Sequence, residues 1–584
     1  MKLWILSIIF VLGTGSLYAK EKGEFPSEWV LQKTTFSYPS NFEFPEEGSV
    51  ELFESTLYFQ NSLYFQIKNK EKKNSIYQYD LQTGTFQKKL WEKGRILGWT
   101  ECKNQFLIQT KQKLYFVEPI TWNVINESTV PSISPQWRDM VCANQKLYRL
   151  DNDQLQVLDM ETWEVKSILP LPMKSVQRIV KHEDMEILLY SSFSGNMVKN
   201  FSIDEGNTKG EWKVKTNHRA LFKLIHISSD RFLVFDPITK IYGEFYLFDD
   251  QLIPMAERLE KRSDGKAVRF SPIESNLQYQ LEIQANEEIP ETNIHVVLPK
   301  KDTYAQSLKE ETFYSPSSFS LDETGNRTLT IPLAKMKKGE SKTIKVYNGN
   351  LTRYKIHWKL DPNITLNREE NESKFPNELR DDWFVKLNDL VVIEKSKELY
   401  EENLTLKKIL EQTSKYTSSI PYKSGKFEPA PKVIEKNNGG CTEHSYVTMA
   451  LLRGLGIPTR LIWNYLPTET SKEMSLNHKY VEVWIEGYGW IPMEPLAPPK
   501  SKPGVSHARH LVFAVLPTPT HPKILGGDRL VQFTKESFHL RKNLSLKLTI
   551  LKDEKGEREE ETIGLQPGQK QNRTIVSGED LVVP

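Results

Sequence analysis

Cysteine is scarce, since 584 residues hold only Cys102, Cys142 and Cys441. Three thiols in an oxidising compartment cannot all pair with one another, so one of them is left over. Net charge is nearly absent as well. Lys plus Arg number 78 against 76 Asp plus Glu, a formal +2, which gives no global field to gather nucleic acid or anionic lipid. Long apolar runs are also missing, because no segment approaches the ~20 residues that a bilayer-spanning helix needs. A single core is excluded by length, as cores stop growing at about 250 to 300 residues, and three or four domains are expected.

The longest apolar run stands at the very start, where Lys2 precedes Leu3 to Leu12 and a small-residue stretch ends at Ala19. This pattern predicts a signal peptide over residues 1–19 and an exported protein, periplasmic or extracellular. With no Cys after the apolar run, a bacterial lipoprotein anchor is not expected. The mature chain should hold no integral membrane segment.

From about residue 45 to 262 the sequence is strand-like and weakly self-similar. Ile76–Thr83, Leu114–Thr121, Leu155–Thr162 and Phe232–Thr239 each run a strand into an acid-x-x-Thr turn, with a degenerate copy at Phe201–Asn207. The first three acids, Asp80, Glu118 and Asp159, recur at steps of 38 and 41 residues, which suits one four-stranded blade per repeat. A propeller-like array over 20–262 is the expectation. Cys102 and Cys142 fall at near-equivalent places in it, either paired or as buried small residues.

Between 263 and 372 the rhythm changes to short alternating strands such as Tyr279-x-Leu281-x-Ile283 and Ile294-x-Val296-x-Leu298, the pattern of a small antiparallel sandwich. A linker rich in Asn, Glu and Pro follows over 367–376. A helix is predicted over 394–416. One clear strand, Leu544-x-Leu546-x-Leu548-x-Ile550, lies in an accessory β segment and polar tail spanning 521–584.

Chemistry concentrates in Gly439-Gly440-Cys441-Thr442-Glu443-His444. Two glycines break the chain before a helix whose apolar face is Val447, Ala450, Leu451, Gly454 and Leu455. Cys441 therefore begins a helix, where unpaired amides and the helix dipole favour the thiolate, the nucleophilic form. Further on, His478 to Ile485 and Trp490 to Glu494 read as the two strands of a hairpin turning at Glu486–Gly489. That register sets His478 beside Glu494, and a carboxylate next to an imidazole fixes its tautomer. A zinc site made of Cys441, His444, His478 and Glu494 uses permitted ligand types, but it explains fewer of the surrounding residues; His444 is expected near the cleft rim.

These residues resemble the transglutaminase-like family. The matching pieces are Gly-Gly-Cys at 439–441, Leu-Arg-Gly-Leu-Gly-Ile-Pro-Thr-Arg at 452–460, His-Lys-Tyr-Val-Glu-Val-Trp at 478–484 and Gly-Trp-Ile-Pro-Met-Glu-Pro at 489–495. The resemblance covers about a quarter of the chain and implies a papain-like α+β core over 373–520, with Cys441, His478 and Glu494 as catalytic triad and neither cofactor nor metal. Glu494 stands where the family usually has Asp, and Tyr480 where Trp is common. The implied activity is acyl transfer through a thioester on Cys441, with a protein or peptide as substrate, cell-envelope material included, and with hydrolysis the commoner outcome and cross-linking the other. The contrasting expectation is an envelope scaffold whose papain-like core is inactive.

Overall fold

Acidic turns set the architecture of the N-terminal half. The computed structural model describes residues between 29 and 555 with breaks; 258–314, 317–400, 427–467 and 474–496 are continuous. The expected signal peptide lies outside the described residues. Asp80 Oδ1 accepts hydrogen bonds from the amides of Gln82 and Thr83, and Asp159 Oδ1 from those of Glu161 and Thr162. Glu118 accepts from Thr121 in the same way. Each turn closes with a main-chain bond four residues on, from Gly84 to Asp80, Trp122 to Glu118 and Trp163 to Asp159. Gly206 to Ser202 repeats this at the degenerate copy, with the Ser202 hydroxyl accepting from Glu205.

The closing residue lies in the left-handed region each time, with φ near 62° at both Trp122 and Trp163. Such a conformation costs a bulky residue roughly 1 to 3 kcal/mol. Burial offsets it. Trp122 packs among Tyr64, Trp91, Trp99 and Phe106, and Trp163 lies against Phe116.

Among the described residues of 56–254 there are five consecutive four-stranded antiparallel sheets, each a meander of neighbours in sequence. The acidic turns at Asp80, Glu118 and Asp159, and the Ser202 turn, all join the third strand of a sheet to its fourth. The Phe232–Thr239 copy does not. Its strand, Arg231–Asp236, is second in its sheet, and the third is Ile241–Phe248. A strand ending in an acid is a common local solution, and here similarity of sequence was not equivalence of position. Cys102 and Cys142 form a disulfide between the first strands of the second and third sheets, Gly98–Cys102 and Trp137–Ala143.

The middle of the chain forms a seven-stranded sheet around the long strands Ala267–Ala285 and Ser341–Trp358, together with a four-stranded one around Thr292–Leu298 and Arg327–Leu333. Alternation buries Leu277, Tyr279, Leu281 and Ile283 on one face. The segment after 520 is woven into both sheets. Leu544–Lys555 pairs along Ala267–Ala285, and Val531–Gln532 pairs with His295 and Val296. These partners lie far away in sequence, which is why the strand itself could be read and its place could not.

Among the described residues five α-helices follow: α1 Arg368–Lys374, α2 Leu390–Leu399, α3 Leu406–Ser419, α4 Ala430–Lys436 and α5 Cys441–Gly454. Two expectations change here. The linker over 367–376 contains α1, capped by the Asn367 side chain, which accepts from the Glu370 amide. The helix expected over 394–416 is two, with Tyr400 ending α2 and Thr405 capping α3. Helix α5 packs on an antiparallel sheet ordered Gly489–Met493, Met474–Ile485, Thr459–Pro467, Leu511–Leu516. One apolar core runs from this sheet and α5 into the middle sheets. No described helix is long and apolar enough to cross a membrane.

Candidate active site

Helix α5 starts at Cys441 because Gly440 is its extended N-cap, with φ −86° and ψ −174°. Glu443, three residues on, reaches back to accept a hydrogen bond from the Gly440 amide at 3.2 Å, the carboxylate half of a capping box. Gly439 is required by space. A Cβ there would meet Glu443 Cβ at 2.8 Å and Val433 Cγ1 at 3.1 Å. The helix ends at Gly454 with Leu455 as its C-cap, and Gly456 beyond it has a φ of 80° that lets Ile457 donate back to the Leu452 carbonyl. Cys441 is half-buried and is the free cysteine of the chain.

The hairpin pairs Val481 with Met493, Trp484 with Trp490 and Ile485 with Gly489. This register carries Glu494 to His478, whose Nε2 lies 2.7 Å from Glu494 Oε2. The other carboxylate oxygen accepts from the Leu496 amide at 3.1 Å. Nε2 is thus engaged by the carboxylate, which leaves the second ring nitrogen to act on the sulfur, and imidazole and thiol shift each other's ionisation. Both His478 and Glu494 are largely shielded, with side chains 11 and 12% exposed.

Burial pushes the Cys441 thiol up, but the hydrogen bond and charge of His478, the Lys479 main-chain amide and the Lys479 ammonium outweigh it, so the thiol is lowered. For His478, burial pulls down while Glu494 and Cys441 push up, and the result is about 10. Glu494 is raised by burial and lowered further by the His478 charge, for a net depression. Each partner thus favours the charged form of the other, the thiolate for the sulfur and the imidazolium for the ring.

Cys441, His478 and Glu494, expected together, are together. His444 is not with them. It is fully buried, with Nδ1 2.7 Å from the Gly440 carbonyl oxygen and Nε2 2.9 Å from that of Ile420, rather than at the cleft rim. Its nitrogens are spent on main chain, so the four-ligand zinc arrangement does not form. Nothing in the sequence pattern pointed to His510. Its Nε2 lies 3.9 Å from Glu494 Oε2, and its ring is 5.6 Å from that of His478 and 5.0 Å from that of Tyr480. Burial pushes it down to about 3, so it stands neutral. Donor atoms of His478, Glu494 and His510 lie within 4.8 Å of one another, yet the 2.7 Å His478–Glu494 contact is a hydrogen bond and not the separation of two ligands around an ion. Glu443 could have been found from its capping-box spacing; His510 reaches the site through sheet pairing.

Residues 391–495 match the model of the transglutaminase-like superfamily. No curated protein matches the chain. Among solved structures, it is similar to a candidate cysteine protease from Cytophaga hutchinsonii, at 14% identity over 50% of this chain and 93% of that one, TM-score 0.37. It is also similar to the glutaminyl cyclase of Myxococcus xanthus, at 13% identity over 39% and 99%, TM-score 0.28. A third is the Pan2 WD40 domain of Neurospora crassa, at 9% identity over 37% and 71%, TM-score 0.22. The family match falls on the helix that begins at Cys441 and the hairpin that joins His478 to Glu494, and the chain thus carries a transglutaminase-like core.

Proposed function

We propose that the protein is an exported cysteine acyl-transfer enzyme that acts on a protein or peptide carbonyl and passes the acyl group to water. The observation that carries this is the Cys441–His478–Glu494 chain, buried at its carboxylate end and opening at a half-buried sulfur. The thiolate attacks the carbonyl carbon, forming a C–S bond and an oxyanion. The Cys441 amide at the start of α5 is one donor to that oxyanion. His478 gives its proton to the departing amine as the C–N bond breaks, leaving a thioester. Neutral His478 then takes a proton from water, whose attack releases the acid and restores the thiolate. A lysine amine in place of water would yield a cross-link.

The test is incubation with a small glutamine amide or an activated ester, with mass spectrometry of the intact protein. A transient acyl adduct on Cys441, followed by release of free acid, is expected. No adduct on wild type, with the thiol accessible to alkylation, would remove the enzyme reading and leave the scaffold.

The same reading takes residues 20–262 as a five-bladed propeller, 263–372 as a sandwich and 373–520 as the catalytic unit. Support for the propeller comes from the first strands of the five sheets, which touch in sequence order, with Lys223–Ser228 of the fifth also touching Thr56–Phe59 of the first. Paired cysteines placed on those two strands should cross-link in the native protein. Export predicts a mature N-terminus at Lys20, read by N-terminal sequencing of protein from the native cell envelope; an intact Met1 there would sink it.

A further inference from the structure

His478 and Lys479 are consecutive residues of one strand, so their side chains leave it in opposite directions. Both nevertheless converge on the start of α5. Lys479 Nζ lies 3.5 Å from Thr442 Oγ1, and that oxygen lies 4.0 Å from Cys441 Sγ. The main chain is tied at the same point, since the Ser445 hydroxyl lies 2.9 Å from the Cys441 carbonyl oxygen and 3.3 Å from that of Lys479. Lys479 is only 5% exposed, and the ring of Phe427 covers its ammonium at 5.2 Å. Negative charge nearby stabilises a buried ammonium, and a thiolate on Cys441 is one such charge, since Lys479 and the sulfur act on each other.

We propose that Lys479 is a positioning residue for the nucleophile: its ammonium, held over the first turn of α5 through Thr442, is a second fixed positive charge that keeps Cys441 ionised beside the imidazolium of His478. This rests on the reading of Cys441 as the nucleophile. Several other ionisable groups near the sulfur, among the described residues, have partners of their own. Glu494 and His510 stand behind His478, Glu443 is bound to the Gly440 amide, His444 faces two carbonyls, and Glu428 pairs with Lys436. Among these groups the two cations that act on the sulfur come from adjacent positions of one strand. The lowered thiol agrees with this geometry, since Lys479 acts on it through both its amide and its charge.

The experiment is the pH dependence of alkylation of Cys441 by iodoacetamide, from pH 4 to 9, in wild type, Lys479→Met, Lys479→Arg and Thr442→Val, with circular dichroism to check the fold. Lys479→Met should move the acidic limb up by about one pH unit, a roughly ten-fold slower reaction on that limb. Arginine should restore most of it, and Thr442→Val should shift in the same direction by less. Superimposable profiles for wild type and folded Lys479→Met overturn the role of Lys479 and leave the enzyme reading standing. If Lys479→Met does not fold, Thr442→Val decides, and an unshifted profile there overturns the proposal. A wild-type thiol as slow at acidic pH as a free cysteine overturns the nucleophile reading and this inference together.

Discussion

Glu494 meets His478 at 2.7 Å across the open end of a hairpin whose turn, Glu486–Gly489, begins eight residues after His478 and ends five before Glu494. The extra methylene of glutamate, relative to the aspartate usual in this family, is absorbed locally: one oxygen takes the imidazole and the other the Leu496 amide. A carboxylate held at both oxygens can orient the ring as an aspartate would.

Removing the sulfur should abolish acyl transfer. Cys441→Ala is expected to leave no adduct, and His478→Ala to lower single-turnover acylation by roughly 10⁴-fold, with Glu494→Gln losing less because it only orients and stabilises the base. Members of such a unit act non-additively, so Cys441→Ala with His478→Ala should be no worse than Cys441→Ala alone. Stopped-flow acylation with an activated ester checks the order.

The pH profile has a defined sign. With the thiol lowered and His478 raised to about 10, thiolate and imidazolium coexist between the two. Acylation of an amide should fall on the acid side as the sulfur is protonated, at a lower pH than for a free thiol, and fall again near pH 10 as His478 loses the proton that the leaving amine needs. Glu494→Gln removes the main upward push on His478 and should bring the basic limb down. Measuring kcat/KM from pH 4 to 10.5 reads both limbs.

Gly439→Ala places a methyl 2.8 Å from Glu443 Cβ and 3.1 Å from Val433 Cγ1. Overpacking of this kind costs about 1 to 3 kcal/mol. Because Glu443 caps the helix that bears Cys441, activity should drop along with the midpoint of urea unfolding.

His444→Ala is a structural variant. It empties a fully buried site and takes the ring from two carbonyl oxygens; that of Gly440 keeps the main-chain amide of residue 444 at 3.0 Å, while that of Ile420 loses its partner, for an expected loss of about 1 to 3 kcal/mol from the acceptor left unsatisfied. Metal content should be unaffected, which elemental analysis checks.

The Cys102–Cys142 disulfide joins adjacent sheets across a separation of 40 residues. Replacing both cysteines by alanine should lower stability by about 2 to 4 kcal/mol, seen as an earlier thermal transition. Alkylation of Cys441 should not change, since neither cysteine is at the site.

What could be read from the residues was local. A glycine pair before an amphipathic run fixes where α5 starts, and a helix start places the sulfur among unpaired amides. Two alternating strands joined by Glu486–Gly489 fix the pairing of His478 with Glu494, because a short turn leaves one register. Acid-x-x-Thr turns likewise depend on bonds spanning two to four residues. Other features needed the tertiary structure. Cys441 and His478 stand 37 residues apart in sequence, and only the packing of α5 on the strand Met474–Ile485 makes them one unit. His510 comes to Glu494 by sheet pairing, and Lys479 reaches Thr442 because strand and helix lie side by side. His444 was misplaced because helical spacing gives a direction around the axis but not what fills the space there. The strand Leu544–Lys555 was visible as alternation, yet its partner Ala267–Ala285 was not, since a strand's pattern records which face is buried and carries nothing about which distant edge completes its hydrogen bonds.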